Sequence, residues 1–113
     1  MIKPEQMEKL KANWGEKAEG MTCLAEVRLY DPLSDWQCYI YAINPQNIDE
    51  IMCLISCGKG LTPITTEWRL AELYLLYNNH GEGIEVDNEY RPRRVSDLFK
   101  KLNELRIYEP TRD

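Results

Sequence analysis

Three apolar stretches between Cys23 and Cys57 alternate with a period of two, and short polar breaks separate them. Residues 23–30 put Cys23, Ala25, Val27 and Leu29 on one face, with Glu26 and Arg28 on the other. Asp31-Pro32-Leu33-Ser34-Asp35 reads as a turn, because proline presets φ while Asp and Ser bond back to the backbone. Residues 36–43 set Trp36, Cys38, Ile40 and Ala42 against Gln37, Tyr39, Tyr41 and Ile43. Asn44-Pro45-Gln46-Asn47 breaks the chain again. Residues 50–57 then carry Ile51, Cys53, Ile55 and Cys57 on one face and Met52 and Leu54 on the other, so this strand belongs inside a sheet. Connections this short between neighbouring strands predict an antiparallel meander.

The flanks supply the helices. Over residues 4–18, Pro4 suits a first helical turn, and Met7, Leu10 and Trp14 form a stripe at helical spacing, with Gly20 as a stop. After the Gly58-Lys59-Gly60 turn, residues 62–68 read as a fourth strand. A short helix is expected over 69–77, lined by Leu70, Leu73 and Tyr77, followed by a polar loop over 78–83. Residues 84–90 suggest a fifth strand. The last element predicts a helix, with Ser96 as N-cap and Val95, Leu98, Phe99, Leu102 and Leu105 as its apolar stripe. The expected fold is α+β. An antiparallel sheet of about four to five strands joins an N-terminal helix, a short middle helix and a C-terminal amphipathic helix, in one domain over residues 1–113.

Composition enters mainly by exclusion. The net charge of −5 argues against a general phosphate-binding surface, though not against a local basic patch. No stretch approaches the ~20 apolar residues that span a bilayer. The first residues show no apolar signal core, so a cytoplasmic protein is expected. The four cysteines contain no C-x-x-C pair and meet a single histidine, His80. They read as buried, reduced core residues rather than metal ligands, and no cofactor is called for.

Several segments invite chemistry. Gly58-Lys59-Gly60 lacks the upstream glycine and the following Ser/Thr of a phosphate loop, which leaves a plain turn. His80 is either a solvated loop residue or a general acid–base group needing a partner. Glu85, Asp87 and Glu89 fall on one strand face, either as a solvated edge or as a hard-cation site. Arg91, Arg93 and Arg94, with Lys100 and Lys101 beyond, form the basic cluster. It would either pair with those carboxylates or contact nucleic acid across 91–101. Tyr39 and Tyr41 lie on an apolar second face, either covered by a terminal helix or open to a partner.

Read in order, Glu5-Gln6-Met7-Glu8-Lys9-Leu10, Val27-Arg28-Leu29-Tyr30-Asp31-Pro32, Trp36 through Pro45, and Ile51 through Gly60 make a series of short, mostly structural motifs. With Ala71-Glu72-Leu73 beyond, the series resembles the uncharacterised bacterial family known as domain of unknown function 2958. The likeness spans residues 5–90, with Ser56 standing where family members often carry an acid. The resemblance implies a protein borne on plasmids, conjugative elements or phages. It brings no catalytic residues with it.

The expectation is therefore a non-enzymatic accessory of a mobile element that binds another protein through Tyr39, Tyr41 or the Arg91, Arg93 and Arg94 segment. A nucleic-acid-associated factor using 91–101 is the alternative, and a small enzyme built on His80 or a cysteine is the second alternative.

Overall fold

The computed structural model describes residues 1–15, 17–58, 61–77 and 83–108. His80 and most of its loop, Lys59 and Gly60 lie outside the described residues. The elements run α1 (Pro4–Trp14), a 3₁₀ turn (Lys17–Thr22), β1 (Leu24–Ala25), β2 (Val27–Tyr30), β3 (Gln37–Asn44), β4 (Asn47–Ser56) and β5 (Ile64–Arg69). They continue with α2 (Leu70–Tyr77), β6 (Glu85–Val86), β7 (Arg93–Arg94) and α3 (Val95–Tyr108). The expected α+β fold is present. β5-β4-β3-β2-β6 form one antiparallel sheet, and β1 pairs with β7 beside it.

The β2–β3–β4 meander holds the centre, as its alternation requires. Its first turn closes on Asp31, which accepts from the Leu33 N–H at 2.9 Å and the Ser34 hydroxyl at 3.0 Å. Alternation sends side chains into two cores. One gathers Val27, Leu29, Cys38, Ile40, Ile51, Cys53 and Ile55 under Leu10 of α1 and Leu70 and Leu73 of α2. The other gathers Tyr39, Tyr41, Ala42 and Leu54 under Val95, Leu98 and Leu102 of α3. Asp49 ties β4 to α2: its carboxylate accepts from the Ala71 N–H at 2.7 Å and from Arg69 Nε at 2.9 Å. These bonds hold its pKa below the ordinary carboxylate value.

Several expectations need correcting. The first strand is two, because the chain breaks at Glu26: Cys23 and Ala25 join the α3 core, whereas Val27 and Leu29 join the other. Glu26, expected on a polar face, is buried at 4% exposure. β3 carries an irregularity between Ile40 and Ala42, where Tyr41 has no cross-strand partner. A bulge of this kind turns two successive residues the same way, so Tyr41 and Ala42 share the α3 core and Ile43 moves to the opposite one. The free Tyr41 carbonyl accepts from Asn13 Nδ2 at 2.9 Å.

Gly20 sits inside the 3₁₀ turn rather than ending α1, and a Cβ there would meet Tyr41 Cε2 at 2.7 Å. Close approach of backbone to ring is its function. Cys57 is exposed, because β4 ends at Ser56. Tyr77 is 40% exposed and forms no part of the α2 stripe. α3 starts one residue before Ser96, and its Val95 N–H donates to Cys23 O at 2.9 Å instead of awaiting a side-chain cap. The 84–90 strand shortens to two residues, since a turn follows at Asn88 and Glu89.

Three outcomes are expected. A 1–94 fragment loses Val95, Leu98 and Leu102, buried groups worth about 1.5–3 kcal/mol each, against the roughly 5–15 kcal/mol that holds a domain together. It should show no cooperative melting by circular dichroism. Thiol labelling of the native protein should modify Cys57 rapidly, and Cys23, Cys38 and Cys53 only on unfolding; fast reaction of all four would contradict the two cores. Burial raises the Glu26 pKa, partly offset by Lys9. The folded state thus holds the proton more tightly than the unfolded chain, and stability falls as pH rises through the folded pKa. Glu26→Gln should therefore raise the urea midpoint at about pH 8 and leave it little changed at about pH 4. An equal shift at both pH values would mean that charge is not the cause.

Candidate functional site

A cleft of about 540 Å³ opens among β2, β3, α3 and the segment 87–93. Its size falls in the roughly 300–1,000 Å³ range of small-ligand sites. Arg28 lies at its base and is held from every side. Nη1 donates to Asp87 Oδ2 at 2.9 Å, and Nε and Nη2 donate to Gln37 Oε1 at 3.2 and 3.1 Å. The guanidinium lies 5.0 Å from the Tyr30 ring centroid and 5.9 Å from that of Tyr39. Strand pairing makes this possible: Arg28 faces Tyr39 directly across β2 and β3, and Gln37 is two residues away on the same face.

Asp87 also builds the turn that delivers the next residues. It donates its N–H to Arg28 O at 2.9 Å and accepts from the Glu89 N–H at 3.0 Å. Tyr90 then enters the wall. Its hydroxyl donates to Ala25 O at 2.8 Å, and its ring meets Tyr39 at 5.7 Å between centroids. Burial pushes this phenol well above its ordinary value, while the Arg93 backbone N–H pulls in the other direction. Tyr90 is a fixed part of the wall. Tyr39 is fixed too, donating to Gln37 Oε1 at 2.6 Å.

The rim is basic. Arg91 and Arg93 approach from the segment after Tyr90, and Lys101 from α3, where Leu98, Lys101 and Leu102 share a face. Four cations (Arg28, Arg91, Arg93, Lys101) and two carboxylates (Asp87, Glu89) line the cleft, a local charge of +2 in a chain of −5. Among the described residues, Arg91, Arg93 and Lys101 form no ion pair. With Arg28 matched to Asp87, three cations face one carboxylate, Glu89.

Of the residues expected from sequence, Tyr39, Arg91 and Arg93 converge here. Tyr41 and Arg94 do not. Tyr41 is 2% exposed beneath the 3₁₀ turn, and Tyr39, at 5%, shows the cleft little more than its edge. The tyrosine face is covered by α3 rather than open to a partner. Arg94 pairs with Leu24 and lies outside the cleft. Pairing of the arginines with the upstream carboxylates is not observed among the described residues, because Asp87 goes to Arg28 and Glu85 lies near the Tyr30 hydroxyl at 3.4 Å.

Glu85, Asp87 and Glu89 do not gather. Among the described residues no three His, Cys, Asp or Glu side chains stand where they would hold a metal ion. Cys38 and Cys53 are neighbours in one core, and the Cys53 thiol together with burial pushes Cys38 well up. Sequence reasoning had Lys101 beyond the basic cluster but missed Arg28 and Gln37 as parts of the site. The signal for them was a long cation and an amide at polar positions of two otherwise apolar strands.

Among the described residues no helix is long and apolar enough to cross a membrane. The chain matches no family model, no curated protein and no solved structure.

Proposed function

We propose that this protein is a non-enzymatic binding module that holds an acidic stretch of another protein in the α3 cleft. The observation that carries this reading is the rim. Arg91, Arg93 and Lys101 converge without carboxylate partners among the described residues, in a chain that is acidic elsewhere. Like charges gathered this way repel one another unless an anion enters between them. The floor of fixed tyrosines, Arg28 and Gln37 gives that anion a rigid seat. The resemblance to domain of unknown function 2958 supports a setting on a plasmid, conjugative element or phage, with the protein acting as an accessory in the cytoplasm.

Nucleic acid is the competing occupant of the same cations. Asp87 and Glu89 in the cleft weigh against it, because a phosphate backbone presents negative charge at every step. A polypeptide can present donors to Asp87 and Glu89 and carboxylates to the arginines. Nor are the aromatic rings available for base stacking, since Tyr39 is covered.

A fluorescein-labelled acidic peptide, titrated at low salt, should raise anisotropy with the native protein. The double variant Arg93→Glu, Lys101→Glu should weaken it about tenfold or more. Both positions are exposed, so the melting curve should stay close to that of the parent. Tighter binding of labelled single-stranded DNA than of the peptide would replace this reading with the nucleic-acid one. Failure of both probes at low salt would remove it.

A further inference from the structure

We propose that two copies of this chain pair edge to edge through β5, antiparallel and about a two-fold axis perpendicular to the sheet, so that one continuous sheet crosses the dimer. The two edges of the five-stranded sheet differ. β6 closes one side with two residues, Glu85 and Val86, and so short an edge gives another chain little to pair with. β5 closes the other side with six residues, Ile64–Arg69, and among the described residues no further strand pairs with it. Its register with β4 runs unbroken from Ile55↔Ile64 to Glu50↔Arg69. It has no bulge, proline or lysine of the kind that keeps an edge from recruiting a neighbour.

The side chains of β5 fit a second copy of themselves. A perpendicular two-fold keeps each face of the sheet on its own side, so it pairs β5 residues of like parity. Ile64, Thr66 and Trp68 lie beside Ile55, Cys53 and Ile51, on the face that α1 and α2 cover. Pairing centred on Thr66 sets it against the partner's Thr66, Ile64 against the partner's Trp68, and Thr65 against the partner's Glu67. Threonine pairs and aromatic–β-branched pairs are favourable cross-strand neighbours. Ile64 is 55% exposed and has apolar surface to bury, while Trp68 is held edge-on to Trp36 at 6.1 Å between centroids. Other centres fit worse. Centring on Glu67 opposes two like carboxylates, and centring on Trp68 runs into α2 at Leu70. Centring on Thr65 carries Trp68 past the end of the partner strand. α2 packs on β4 and β5 and adds the exposed Tyr74, Leu75 and Leu76 near the seam. The basic cleft lies on the α3 side, among β2 and β3, and stays open in such a dimer.

A seam of one short strand per copy sits at the weak end of protein interfaces. Sedimentation equilibrium of the full chain should therefore approach twice the 13.3 kDa monomer mass at about 1 mM and fall to the monomer near about 1 µM. Ile64→Lys, an exposed change, should leave the melting curve close to that of the parent and weaken dimerisation about tenfold or more. Register is read by crosslinking in a Cys57→Ser background. Thr66→Cys brings two Cα atoms within about 4.5–5.5 Å and should give a disulfide-linked dimer on mild oxidation. Thr65→Cys lies diagonally from its mate at roughly 7–8 Å, beyond the usual disulfide span, and should crosslink far more slowly. A monomer at about 1 mM with no crosslink through Thr66→Cys would overturn the pairing. A dimer that Ile64→Lys leaves unchanged, or faster crosslinking through Thr65→Cys than through Thr66→Cys, would overturn it too, because each puts the contact elsewhere.

Discussion

The pairing of β3 with β4 is the constraint on which the rest of the molecule depends. From Gln37↔Ser56 to Ile43↔Ile51 the two strands carry apolar side chains toward both faces of the sheet. A sheet of this kind cannot leave either side in water, so both faces require cover. α1 and α2 close one side with Leu10, Leu70 and Leu73, and α3 closes the other with Val95, Leu98 and Leu102. The layered arrangement follows from two strands. The helices answer to them.

The irregularity at Tyr41 shapes that arrangement locally. Without it, Ala42 and Ile43 would each face the opposite core, and the Tyr41 carbonyl would have a ladder partner. With it, the carbonyl needs a donor from elsewhere, and Asn13 at the end of α1 provides one. The same ring needs room, which Gly20 leaves. A local departure from strand geometry thereby fixes where α1 ends and how closely the following turn approaches the sheet.

The cleft is a consequence of how α3 covers its face. The helix buries Leu98 and Leu102 but leaves a gap over β2, where Arg28 lies. That guanidinium, buttressed by Asp87, Gln37 and two rings, cannot retreat into solvent as a free surface arginine would. Much of this was hidden from a one-dimensional reading. Arg91 and Arg93, with Lys101 beyond, stood out as a basic cluster, and Tyr39 as part of a tyrosine-bearing face. Arg28 sits more than sixty residues before Arg93, and Gln37 more than fifty. Proximity among such residues arises from packing and register, not from spacing along the chain.

Alternation and turn chemistry alone determined the meander, the inward cysteines at 38 and 53, the Asp31 turn and the apolar stripe of α3. Each of these depends on interactions between residues close in sequence or on a period that repeats within one element. Tertiary structure decided the rest: the break at Glu26, the bulge at Tyr41, the exposure of Cys57 and the choice of Arg28 over the nearby arginines as the partner of Asp87. Those outcomes depend on which strand ends first and which distant backbone offers a hydrogen bond. A single chain cannot express such competitions until its elements meet.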